Sequence, residues 1–195
     1  KYYQGYRDGE LTAVLDKETG VARIVYTYDN NRLRREEYFD TEEKPILRSD
    51  TGCAILEYEY NDTGKCSEKN FLGMDKKLIL RKDTGYAAVK LKYDEFGQMT
   101  ASYYYGTDNK PVISTEYHCA GYEYEFDENG NRTDTWFIGL DGKPMVRRDL
   151  GYAHIKSKYD GLGNEILAEY FDAEEQPVVH KERGYASEEK EFVKD

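Results

Sequence analysis

Gly85-Tyr86-Ala87-Ala88-Val89-Lys90-Leu91-Lys92-Tyr93-Asp94-Glu95-Phe96-Gly97 is the stretch that decides the fold of this chain. Ala87, Val89, Leu91 and Tyr93 alternate with Ala88, Lys90 and Lys92, the period-two pattern of a half-buried strand. Asp94-Glu95-Phe96-Gly97 then supplies a type I turn, with aspartate first and glycine where the chain needs positive φ. That is a three-residue hairpin loop with a bulge. The same pattern starts at Gly52, Gly85, His118, Gly151 and Gly184, each 33 residues after the last. A repeat of this length means stacked supersecondary units that bury their apolar faces against one another.

The repeats are 20–51, 52–84, 85–117, 118–150 and 151–183, with partial repeats at 1–19 and 184–195, all in one array. The first repeat is one residue shorter and has lost the turn glycine, so Asn30-Asn31 is expected to form a two-residue loop at positive φ. Residues 1–19 read as the second half of a degraded repeat. After Gly184 the apolar alternation fails at Glu188 and Lys190, as terminal repeats often do. The expectation is an all-β protein of tandem 33-residue β-hairpins, stacked into an elongated sheet or a solenoid-like superhelix.

Each second strand ends in an aromatic or apolar pair: Tyr38-Phe39, Phe71-Leu72, Tyr104-Tyr105, Phe137-Ile138 and Tyr170-Phe171. If Asp94 and Gln98 flank the loop, Tyr105 shares the face of Tyr93, and Tyr104 joins Lys90 and Lys92 outside. That count leaves Arg35, Glu37 and Asp134 on the inner face, where polar side chains fit poorly. A connector follows with a second turn, a proline and two apolar residues; the proline suits a turn or an edge.

Outward positions of the first strands alternate in charge from repeat to repeat. Glu57 and Glu59 become Lys90 and Lys92, then Glu123 and Glu125, Lys156 and Lys158, Glu189 and Glu191. Opposite charges across a sheet stabilise by roughly 0.2–1 kcal/mol per pair. The ladder is useful if Lys90 meets Glu57 and Glu123 in space. A solenoid would make them direct neighbours, whereas a meander would place a strand between them.

Composition narrows the function. The net charge of −11 argues against nucleic acid, which calls for a basic stripe. No apolar run approaches the roughly 20 residues of a membrane-spanning helix, and no membrane insertion is expected. The 20 tyrosines at periodic positions exclude disorder despite a mean hydropathy of −0.91. Three cysteines, Cys53, Cys66 and Cys119, read as free thiols, which leans toward a reducing compartment.

No motif carries catalysis. Asp127-Glu128-Asn129-Gly130-Asn131 superficially resembles a calcium loop, but Arg132 and Ile138 occupy the positions an EF-hand reserves for glycine and glutamate. His118, His154 and His180 fall at three different points of the repeat and make no metal-ligand set. Carboxylates recur as turn residues or ladder rungs, and phosphate-loop, nucleophile-elbow and Cys/His patterns are missing. The chain is expected to be neither an enzyme nor a cofactor or metal binder.

Ligand-binding candidates are the aromatic row Tyr38, Phe71, Tyr104, Phe137 and Tyr170, together with Trp136. Exposed and flanked by acids, such a row could stack on sugars or receive a protein. Alternatively, each ring is covered by its own Pro-Val connector. Tyr103 and Trp136 share one slot in two repeats and are the aromatics that do not repeat.

Tyr159-Asp160-Gly161-Leu162-Gly163-Asn164 and Phe126-Asp127-Glu128-Asn129-Gly130-Asn131 resemble the YD/RHS-type repeats of bacterial surface and toxin proteins. The chain also looks like tandem repeats of uncharacterised Firmicutes proteins. The resemblance covers one hairpin per repeat, and the period is longer than in typical members. It implies hairpin sheets in a surface-associated, extracellular region of a bacterium, without catalytic residues. The function expected is a recognition module for a protein or carbohydrate. A structural spacer, or an array accessory to a catalytic domain elsewhere, is the alternative.

Overall fold

The computed structural model describes residues 1–7 and 10–192. Asp8 and Gly9 of the expected partial repeat 1–19, and the last three residues of 184–195, lie outside them. The described residues form strands and turns, with no helix. The strands are β1 (Gln4–Arg7), β2 (Glu10–Ala13), β3 (Arg23–Asp29), β4 (Arg32–Phe39), β5 (Ile55–Tyr60), β6 (Cys66–Leu72) and β7 (Ala88–Tyr93). They continue as β8 (Met99–Tyr105), β9 (Gly121–Phe126), β10 (Arg132–Ile138), β11 (His154–Tyr159), β12 (Glu165–Phe171) and β13 (Ser187–Glu189). The protein is all-β.

β3 to β13 follow chain order in one sheet, and every pairing described is antiparallel. This is a meander, so a second strand always separates equivalent first strands. β1 and β2 pair in a two-stranded sheet of their own, and Tyr2 bridges to Arg23. By contacts the chain divides into two compact units, residues 1–90 with 104–110 and residues 91–103 with 111–195.

The hairpin turns match their residues. Gly97, Gly130 and Gly163 have φ near +82°, and Asp94, Asp127 and Asp160 each accept an N–H four residues on. Asn30 and Asn31, with φ of 48° and 61°, close the short first hairpin by pairing Asp29 with Arg32. A later turn ends each connector with a bond from residue i+4, as from the Gly85 N–H to the Arg81 carbonyl. Glycine holds positive φ there in the other repeats, and His118, at 55°, replaces it in one.

One residue of bulge changes the faces. Thr27 pairs with Arg35 but Tyr28 with Leu33, and Glu59 pairs with Glu68 but Tyr60 with Cys66. The extra residue is Arg34 or Ser67, and the same step occurs at Thr133 and Ile166. A bulge shifts every later side chain to the opposite face. Phe71 therefore lies opposite Leu56 on the apolar face, and Phe39, Leu72, Ile138 and Phe171 take the charged one. The simple count across the loop is corrected, and Arg35 and Asp134 move to the charged face, where Glu57 and His154 pair with them.

The charge ladder is corrected too. In the N-terminal unit Glu57 meets Arg35 at 3.7 Å and Lys90 meets Glu68 at 3.6 Å, both from the intervening strand. In the C-terminal unit Lys156 lies opposite Asp134 in the register and pairs with Glu175 at 3.0 Å. The meander puts the next hairpin's second strand where the ladder wanted another first strand.

Apolar burial follows the Gly-Tyr-Ala segments. Ala54, Ala87, Ala120 and Ala153 are almost fully buried. Their small side chains let the connector lie close, and the Ala54, Ala87 and Ala153 carbonyls accept the N–H groups of Tyr38, Phe71 and Phe137.

Candidate functional site

Tyr38, Phe71, Tyr104, Phe137 and Tyr170 are 1–5% exposed. They form interior, not a solvent-facing row, because the bulge turns them under the connectors. Ile46, Ile79, Met145 and Val178 of those connectors donate their N–H groups to the carbonyls of Tyr38, Phe71, Phe137 and Tyr170. Guanidinium groups cap three of the rings: Arg48 over Tyr38, Arg81 over Phe71 and Arg147 over Phe137, at 4.6–5.0 Å. Asp50, Asp83 and Asp149 bind these arginines. In the N-terminal unit Tyr86 joins the row, its ring 5.8 Å from Phe71 and 4.7 Å from Tyr104. In the C-terminal unit Tyr152 links Phe137 to Tyr170 in the same way, at 5.5 and 4.8 Å, and burial pushes its hydroxyl up to about 12.

Trp136 differs. It sits on the opposite face of β10, half-buried, across from Glu123 of β9 and His154 of β11. Its ring stacks on the His154 imidazole at 4.3 Å and 17°. His154 is 1% exposed, with Phe171 at its other side, ring centroids 5.7 Å apart. The imidazole Nε2 lies 2.9 Å from Asp134 Oδ1 and Nδ1 lies 2.8 Å from Glu175 Oε1. Ionised carboxylates only accept, so both nitrogens are satisfied when both donate. A buried ring held at two points cannot rotate, and it fixes the indole lying on it.

The edge of this cluster is charged. Lys156 donates to the second Glu175 oxygen at 3.0 Å and lies 4.8 Å over the Phe171 ring. Burial acts to raise the Glu175 carboxyl, but the Lys156 bond and the imidazole outweigh it and hold the group below its ordinary range. Further along the face, the Tyr103 hydroxyl donates to Glu123 and Lys92 lies 5.1 Å over the Tyr103 ring. Tyr103 and Trp136, the aromatics that do not repeat, thus share a face with acids and lysines between them.

Asp134, His154 and Glu175 were absent from the candidates read from sequence. Their signal was departure from the repeat: the His154 slot holds Ile55, Ala88, Gly121 and Ser187 elsewhere. Among the described residues no group of three or more His, Cys, Asp or Glu is placed to hold a metal ion.

No family model matches the chain, and no curated protein matches it. Among solved structures, the chain is similar to part of one titled "Crystal Structure of TcdB2-TccC3-Cdc42", which is one match of several. Identity is 14% and the TM-score 0.31, over 87% of this chain and 11% of that one. The chain thus spans about a tenth of that structure's chain. Among the described residues no helix is long and apolar enough to cross a membrane.

Proposed function

We propose that the chain is a non-enzymatic recognition module, and that the Tyr103–Trp136 face of its C-terminal unit contacts a protein or glycan. The observation that carries this reading is the half-buried Trp136 ring lying flat on a fully buried imidazole anchored to two carboxylates. A rigid aromatic platform loses little freedom on binding, and aromatic anchors dominate contact energies. Glu123, Lys156 and Glu175 around it supply donors and acceptors for orientation. We read the carboxylates that recur from repeat to repeat as turn and strand-pair residues, which supports a binding rather than a catalytic role.

We read the hairpins as YD/RHS-type repeats stacked in tandem within a larger bacterial surface protein. The Tyr-Asp-x-x-Gly-Asn turns support that reading. The test is a glycan array and a partner capture run with the chain and with Trp136→Ala. Binding that falls at least tenfold in the variant is expected. Binding unchanged by the substitution, or none in either format, would leave the chain a spacer.

A further inference from the structure

An aliphatic side chain stands exposed at the same point of every connector. Leu47 and Leu80 hold it in the N-terminal unit, and Ile113, Val146 and Val179 in the C-terminal unit, with exposures of 38–54%. Some other exposed slots vary between repeats, although the connector lysine, as Lys44, Lys77, Lys110 and Lys143, does not. The residue before the hairpin-turn glycine, for instance, is Phe96, Asn129 and Leu162 in successive repeats, and the positive-φ residue of the connector is Glu43, Lys76, Asn109, Gly142 and Glu175. This outward slot stays aliphatic as Leu, Leu, Ile, Val, Val, which leaves an apolar row open to a partner.

In the C-terminal unit Ile113 and Val146 line a groove of about 650 Å³ with Met145, His118, Arg148 and Asp149. Arg147 occupies Asp149, while Arg148 and Lys181 have no ion-pair partner among the described residues. The connector edge is therefore apolar and bordered by Arg148 and Lys181, each followed by an exposed acid, Asp149 and Glu182. The opposite ends of the same strands carry the complementary surface. Phe96 and Leu162, at the hairpin tips, are 83% and 72% exposed, and Asp94, Glu95, Asp127, Glu128 and Asp160 surround them.

The two surfaces share one pitch. Successive tips and successive connector residues are both two strands apart, about 10 Å. Phe96 and Leu162, two repeats apart, therefore have the spacing of Ile113 and Val179. Tips and connectors lie at opposite strand ends, so neither reaches the other within one unit. We infer that the occupant of the connector row is a second copy of this chain, whose acidic, apolar hairpin tips dock on the aliphatic row and its Arg148–Lys181 rim. The contact is head-to-tail, and such contacts grow into open assemblies unless a rotation closes them.

Sedimentation equilibrium on the whole chain tests this, with Val146→Asp as the row variant and Phe96→Asp/Leu162→Asp as the tip variant. The unmodified chain is expected to gain weight-average mass beyond a dimer with rising concentration. Each variant alone stays monomeric, and an equimolar mixture of the two stops at 1:1 dimers, since each then offers one working surface. A chain that stays monomeric throughout, a variant that associates like the parent, or a mixture that stays monomeric would each overturn the inference. Far-UV circular dichroism checks the fold, and Val146→Thr with Phe96→Ser/Leu162→Ser replaces any variant that unfolds.

Discussion

The Arg147 guanidinium lies 4.8 Å over the Phe137 ring, and Asp149, two residues on, grips it through both Nε and Nη2. The carboxylate fixes the fork, and the fork closes the aromatic interior. Lysine cannot reproduce a planar stack and a two-point grip together. Arg147→Lys is expected to cost about 1 kcal/mol, seen as a lower urea midpoint with unchanged slope.

The same clasp gives a pH dependence. Hydrogen bonds from Arg48 and Arg147 hold the Asp50 and Asp149 carboxyls below their ordinary range. A depressed carboxyl stabilises the fold fully above its unfolded value near 3.9, and that contribution fades as pH falls toward the folded value. Thermal midpoints should therefore drop on acidification below about pH 4. The Asp50→Asn/Asp149→Asn variant should start lower at pH 7 and lose less on acidification, and equal losses in both proteins would contradict the assignment.

His154→Leu removes the shared donor of Asp134 and Glu175. Asp134 is then left with little solvent and no imidazole, and unpaired buried groups are costly. The expected loss is about 2–4 kcal/mol of unfolding free energy. The indole of Trp136, the only tryptophan, should also change emission, since its stacked partner is gone. Unaltered emission would show that the imidazole does not position the platform.

Two backbone changes should act with opposite sign. A Cβ on Gly121 would stand 2.5 Å from the Ser102 carbonyl oxygen, so Gly121→Ala must push strands β8 and β9 apart at a cost of about 1–3 kcal/mol. His118 holds φ of 55°, a conformation that its counterparts give to glycine. His118→Gly should raise stability by about 0.5 kcal/mol, a shift of a degree or two in Tm.

Thiol labelling checks the packing. Cys53 and Cys119 are buried, and burial pushes both thiols up. Cys66 is half-buried near its turn. An aromatic disulfide reagent is expected to label Cys66 first, and the other two only at the rate of unfolding.

Turn chemistry made the hairpins legible, because Asp127 and Gly130 act within four residues and the repeats at Asp94 and Asp160 restate them. The faces of the second strands were not legible. Thr133 adds one residue to β10, and nothing in its side chain marks it as the bulge. That single step exchanges Phe137 for Trp136 between interior and surface, so the candidate row was read outside while it lies within. Trp136 stood out because it fails to repeat. Asp134, His154 and Glu175 come from two strands and a connector turn, and only their pairing distances make them one cluster.

The bulge also constrains how such a chain can change length. The first repeat is a residue short, yet Arg34 keeps its bulge and the loss falls on the loop, where Asn30 and Asn31 absorb it. Losing a codon at Thr133 instead would trade core for coat along the rest of β10. Lineages carrying this repeat should therefore record their insertions and deletions at hairpin tips and connectors, while the strands between them tolerate exchange of residues but not of count.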